Sequence, residues 1–290
     1  MRFLTLFKTT KKPVFGIICV LVAVFLFSLT NAAVKKVASQ YPMVEVLFFR
    51  FIFALVGISA FLGFTKGPSA FRTKQLYNHL IRAGTGYVAL FASYLSFTYL
   101  PFSDAIAISF TEVLFMTLFS SFIIGEKVDY KRWLAIFTGF CGVILASNPH
   151  GIFNIGVFLA LTYGIFDAYS AVLGKKLCIE ENALLAIFYY SLLSTFFCLP
   201  FLFFLWKTPS FKDLVLLCLM GIAAGVALFI MTYGFYYSKV STAASMTYSA
   251  MIWAILWGFL FWGEVPTFYL LGGVLAIIGS GLYVIKAEQL

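Results

Sequence analysis

Glu112 and Asp167 each interrupt a long apolar run. A carboxylate in that setting can be the counter-charge for a cationic solute, a proton carrier for coupling, or half of a structural ion pair. An ionisable group inside a membrane span costs about 2.5–3.5 kcal/mol on insertion scales, so such groups are functional candidates by default. Glu112 is flanked by Thr111 and Phe115, and Arg50 is a possible structural partner. Asp167 is followed by Lys175, which offers it a structural role as well. Arg50 lies two turns into an apolar run, five residues after Glu45. Snorkelling or pairing with a carboxylate suits it, a structural or gating role rather than direct solute contact. Asp104 follows Ser103 at the start of a segment and reads as a first-turn acid that satisfies free N–H groups.

Other chemistries find no support. The five cysteines form no Cys-x-x-Cys pair and lie mostly in apolar runs, as small buried residues do. His79 and His150 fall at segment ends, so neither zinc nor haem is expected. No Walker motif is present, which disfavours ATP coupling. No cofactor and no catalytic residue are expected.

These residues must be positioned by membrane helices. Of 290 residues, 62% are hydrophobic, 20% aromatic and 11% charged, and the mean hydropathy is +1.00. Soluble domains carry roughly 25% charged residues, so this chain cannot cover a globule in water. A β-barrel alternates apolar and polar positions, whereas these runs are unbroken. The expected fold is an all-α integral membrane protein. Ten spans of about 20 residues fit at roughly 14–34, 44–64, 79–99, 104–124, 131–148, 153–174, 183–205, 212–237, 242–262 and 267–285. The breaks carry turn residues such as Lys66-Gly67-Pro68 and Asn148-Pro149-His150-Gly151. The first run follows Lys8, Lys11 and Lys12 but is too long for a signal core, and reads as a retained span.

The net charge of +9 is spread between the spans, which excludes a nucleic-acid patch and fits loop bias. With both termini cytoplasmic, fifteen Lys and Arg fall on the inner side, including Arg82, and four on the outer, with Arg50 inside a span. That distribution favours both ends inside and an even number of spans.

The chain also repeats itself. Val88-Ala89-Leu90-Phe91 recurs as Val226-Ala227-Leu228-Phe229, an offset of 138, and Gly125-Glu126 recurs as Gly263-Glu264 at the same offset. At an offset of 140, Lys35-Lys36 match Lys175-Lys176 and Phe48 matches Phe188. Residues 1–148 and 149–290 thus form two five-span units. An odd number of spans per unit makes the second an inverted copy of the first, a secondary-transporter plan with its site near midplane. Glu112 has Ala250 as its mate and Asp167 falls near Phe27, so neither acid belongs to the shared scaffold. Glu126 and Glu264 occupy equivalent turns on opposite sides, which suits a scaffold, capping or gating role.

Ser121-Phe122-Ile123-Ile124-Gly125-Glu126 and Gly258-Phe259-Leu260-Phe261-Trp262-Gly263-Glu264, followed by Gly139 and Gly142 or Gly279 and Gly281, resemble EamA-type members of the drug/metabolite transporter superfamily. Phe48-Phe49-Arg50-Phe51, Asp167 with Lys175-Lys176, and Phe188-Tyr189-Tyr190-Ser191 are similar to the S-adenosylmethionine transporters of obligate intracellular bacteria. Glu112 departs from that group, where an uncharged residue is expected. The resemblance implies ten helices in two inverted five-helix repeats, and a cavity lined chiefly by spans 3, 4, 8 and 9 with help from 1 and 6. It also implies uptake of a small metabolite, S-adenosylmethionine foremost, in exchange for S-adenosylhomocysteine in some members. On those spans Tyr94, Tyr233, Tyr248, Ser249, Trp253 and Asn31 join Glu112 and Asp167 as candidates for the substrate wall. Ser245, Ser249 and Trp253 share a face at four-residue spacing, which suits helix packing or a polar and aromatic wall. The expected partners are a small metabolite and membrane lipid, with the protein a monomer or homodimer in a bacterial inner membrane. A proton-coupled amino-acid or metabolite exporter is the alternative. A membrane enzyme is disfavoured because the two histidines fall on opposite faces.

Overall fold

A computed structural model describes residues 13–38, 40–66, 71–130, 133–134, 136–138, 140–141 and 155–265, with 272, 275–276 and 279. Their regular structure is helical: α1 (Pro13–Val37), α2 (Met43–Lys66), α3 (Leu76–Tyr99), α4 (Phe102–Ser109), α5 (Thr111–Ile123), α6 (Ile155–Glu180), α7 (Ala183–Leu205), α8 (Phe211–Tyr237), α9 (Val240–Thr247) and α10 (Ala250–Trp262). Among the described residues, seven stretches are long and apolar enough to cross a membrane, with α4–α5 forming one and α9–α10 another. The α3 helix is as long but more polar, because it carries Asn78, His79 and Arg82. The expected spans 131–148 and 267–285, with His150, Gly142 and Gly281, lie wholly or largely outside the described residues.

Two boundaries differ from the sequence reading. The α1 helix runs on to Val37 and α6 to Glu180, so Lys35 and Lys175 belong to helices rather than loops. Both are held there by ion pairs described below.

The stretches expected as the fourth and ninth spans, 104–124 and 242–262, are each broken near the middle. The first breaks at Phe110 and the second at Tyr248 and Ser249, and Phe110 and Tyr248 are themselves 138 residues apart. Hydroxyls turn back onto the backbone at both breaks: Ser109 Oγ donates to the Ala105 carbonyl at 2.7 Å, and Thr247 Oγ1 to that of Ala244 at 2.7 Å. Such bonds bend helices and satisfy carbonyls that a break would strand in lipid. The two mates meet, with the Phe110 and Tyr248 rings edge-on at 5.3 Å.

The Gly-Glu pairs close both broken spans the same way. Gly125 and Gly263 have φ of 77° and 67°, a left-handed turn that side chains resist. Glu126 N–H then donates to the Ser120 carbonyl at 3.2 Å and Glu264 N–H to that of Gly258 at 3.1 Å. Each bond reaches back six residues past the left-handed glycine, closes the helix end, and aims the glutamate back toward the bundle.

Large apolar side chains cover the outside, Phe64, Phe203, Phe204 and Phe211 among them, as lipid contact requires. Where α6 turns into α7, Glu181 ties down the segment before α3. Its carboxylate accepts from Thr73 Oγ1 at 2.8 Å and from Lys74 N–H at 2.8 Å, and lies 3.0 Å from His79 Nε2. Burial pushes this carboxyl up, but the bonds from His79, Lys74 and Thr73 outweigh it and hold Glu181 below the usual glutamate value. A depressed carboxyl stabilises the fold above its unfolded value, about 4.3, and stops doing so as pH falls through the lower folded value. Glu181→Gln is therefore expected to lower stability by about 1–2 kcal/mol at neutral pH, with the gap closing toward pH 3. Melting midpoints recorded across pH 3–7 check this, and a gap that does not depend on pH counts against it.

Candidate functional site

A cavity of about 190 Å³ sits between the two halves, with walls from α1–α3, both broken spans and α6–α8. One water needs only about 10–15 Å³ by such a measure, so the space admits a solute. Apolar and aromatic groups make up most of its wall, among them Phe27, Phe102, Phe110, Leu228 and Phe235.

Many of its polar groups come from α6, with Ser28 and Asn31 added by α1 and Arg50 by α2. Tyr163, Asp167, Ser170, Ala171, Gly174, Lys175 and Cys178 all line the cavity. Their steps of three and four residues trace one face of a helix. Gly164 brings that helix against the start of α5, since a Cβ there would lie 2.1 Å from Thr111 Oγ1 and 3.0 Å from Glu112 N. The approach places the Asp167 carboxyl against the Glu112 carboxyl, with the Tyr163 hydroxyl beside them. Glu112 is buried, and its Oε2 has no hydrogen-bond partner among the described residues. Neither acid has a cation within ion-pair distance among those residues. Gly164→Ala is expected to push α6 away from Glu112 and weaken solute binding tenfold or more. Solute-induced stabilisation compared in the two proteins checks this, and equal shifts would contradict it.

Of the residues singled out from sequence, Glu112, Asp167, Asn31 and Arg50 reach the cavity. The other substrate-wall candidates stand behind it. Tyr94 is fully buried and receives a hydrogen bond from Arg50 Nη1, so it braces that side chain. The Arg50 guanidinium also lies over the Phe27 ring at 5.3 Å, and its residual surface faces the cavity rather than the membrane interface. Tyr248 packs on Phe110 and donates to the Ile136 carbonyl at 3.3 Å. Ser249 spends its hydroxyl on the Met246 carbonyl at 2.8 Å. Trp253 meets Phe25 edge-on at 4.7 Å, and Tyr233 packs on Phe229 at 4.9 Å. Their hydroxyl, phenol and ring surfaces are taken up between helices.

Sequence reading missed Arg82, Tyr163, Ser93 and Thr247, all on the cavity wall. Arg82 was counted among the cations that orient the chain, yet it is buried inside α3. The expected span 79–99 puts it one turn from the end, whereas α3 starts at Leu76 and carries it nearly two turns in, as α2 carries Arg50. Tyr163 stands one turn before Asp167 on the same face. His79, fully buried, stacks on Tyr189 at 4.7 Å and serves the Glu181 corner.

The repeated glutamates form matching contacts at the two ends of the bundle. Glu126 accepts from Lys175 Nζ at 2.7 Å and from the Val240 N–H that opens α9 at 3.0 Å. Glu264 accepts from Lys35 Nζ at 2.8 Å and from the Phe102 N–H that opens α4 at 3.4 Å. Each glutamate thus bridges to a lysine and a helix start in the opposite half of the chain. A carboxylate at a helix N-terminus is favoured by the free N–H groups and the dipole. Lys35 also lies over the Trp262 ring at 4.6 Å.

Apolar helices around a charged, solute-sized cavity, with broken spans at its centre, are the construction of a membrane solute carrier. The chain belongs to the EamA-like transporter family, whose model matches residues 14–148 and again 154–285. It is 27% identical over 275 residues to the S-adenosylmethionine uptake transporter of Rickettsia prowazekii (strain Madrid E), covering 91% of this chain and 92% of that one. It is 23% identical over 267 residues to the pseudopaline exporter CntI of Pseudomonas aeruginosa (strain UCBPP-PA14), covering 91% and 93%. Human solute carrier family 35 member G1 is 27% identical over 295 residues, covering 95% and 80%. A solved crystal structure with 16% identity superposes at a TM-score of 0.74, covering 95% of this chain and 96% of that one, which confirms the fold. The protein is a multi-pass membrane transporter.

Proposed function

We propose that this transporter takes up a small cationic or zwitterionic metabolite by alternating access, with S-adenosylmethionine the leading substrate. The observation that carries the reading is the Glu112–Asp167 pair in the central cavity, two acids without a cation partner among the described residues. A sulfonium or ammonium group supplies the missing charge, and the aromatic wall offers faces to an adenine ring and a cation. The rickettsial relatives support this substrate. In this reading the halves are inverted copies, both termini are cytoplasmic, and the Lys35–Glu264 end faces outward. The two Glu–Lys contacts close the cavity from opposite sides and open in turn.

Uptake of labelled S-adenosylmethionine into bacteria expressing the protein tests the reading, against a panel of amino acids and nucleotides. Saturable uptake is expected, with preloaded S-adenosylhomocysteine accelerating entry into de-energised vesicles. No saturable uptake defeats the substrate assignment. The likeness to the pseudopaline exporters favours proton-coupled export of an amino acid or other metabolite as the second reading. It predicts uptake into inverted vesicles driven by a proton gradient.

A further inference from the structure

Arg82 lines the same cavity with a guanidinium that has no carboxylate within ion-pair distance among the described residues. The residue is buried, and its Nε has no hydrogen-bond partner among those residues. Nη1 is anchored, donating to the Ala186 carbonyl at 2.8 Å. The group lies over the Tyr190 ring at 5.0 Å and against Gly174, where a Cβ would come within 2.7 Å of Nε. The missing side chain at 174 leaves room for the guanidinium, and the bond to α7 fixes its plane. A held but unpaired guanidinium in an apolar wall is costly unless an anion reaches it. Asp167 lines the same cavity.

We infer that Arg82 is the carboxylate-binding residue of the cavity, and that the transported solute carries an α-amino-acid head. The fork of N–H groups on a guanidinium matches a carboxylate, and an ammonium on the neighbouring carbon then falls toward Asp167 and Glu112. The cavity is therefore built for a zwitterionic head, and it discriminates against amines that lack the acid. The inference rests on the cation reading of Glu112 and Asp167 and adds the opposite pole.

Matched pairs of compounds test it on purified protein in detergent. The pairs are S-adenosylmethionine with its decarboxylated amine, and S-methylmethionine with its decarboxylated amine. Affinity is read from the shift in melting midpoint with concentration. The acid-bearing member is expected to bind wild type at least tenfold more tightly. Arg82→Gln should bring the two members of a pair within about twofold, and Arg82→Lys, which keeps charge but loses the fork, should fall between. If Arg82→Gln melts too low to titrate, Arg82→Lys carries the comparison. Equal binding of both members to wild type, or a gap that survives Arg82→Gln, overturns the inference and leaves the cation site standing. If no member of any pair binds, both readings fall.

Discussion

Glu112→Gln is expected to cut uptake by roughly 10- to 100-fold while leaving the folded protein as stable as wild type, or more so. Hydrogen bonds to a charged group are worth about 1.5–3 kcal/mol, and each 1.4 kcal/mol is a factor of ten. The carboxylate is buried beside a second acid, with one oxygen unpartnered, so it does little for folding. Removing a buried charge of that kind relieves desolvation rather than breaking a structural pair. The loss should therefore appear in the solute-induced rise of the melting midpoint, not in the midpoint of the free protein. Asp167→Asn should do the same, and the double variant should fall well short of the product of the two, because touching residues act as a unit. A Glu112→Gln protein that melts early and still carries solute normally would mark the acid as structural.

The second large effect concerns the two ends of the bundle. Glu126→Gln is expected to slow transport about tenfold, and so is Glu264→Gln, yet the double variant should regain part of the lost rate. In the proposed cycle each substitution weakens one closure and tilts the balance between the two open states, and a carrier stalls when either state dominates. Weakening both closures restores the balance. The lysines should show it too: Lys175→Met with Glu126→Met should outperform either alone, since a single change strands a partly buried charge. Transport rates across this set, with thiol labelling of the cavity from each side, decide the matter. If the Glu126 and Glu264 effects simply multiply, the contacts are scaffold and not gates.

Much of this was legible in the sequence. Hydropathy gave the helices, and the Gly-Glu repeat gave the turns, because φ near +70° favours glycine locally. Glu112 and Asp167 were visible as charges out of place. What each charge faces was not visible. Lys175 and Glu126 are 49 residues apart and Lys35 and Glu264 are 229 apart, so their pairing follows from how the halves pack. Arg82 was hidden because a lysine or arginine near a span end ordinarily sets orientation. Tyr94, Tyr248 and Trp253 were drawn toward the cavity on helix membership alone. In a chain this rich in rings, most aromatic faces are used up between helices.

The unequal mates Glu112 and Ala250 bear on how such a carrier can diversify. Were the two units separate, identical subunits, every acid introduced into the cavity would come twice, as would every arginine. The cavity could then recognise only solutes with matching ends. Joining the units in one chain lets a residue change on one side alone, and here the acids gather where α5 meets α6 while Phe27 and Ala250 stay uncharged opposite. A solute with a positive pole, a negative pole and an aromatic body needs that freedom, which linkage of the two units supplies.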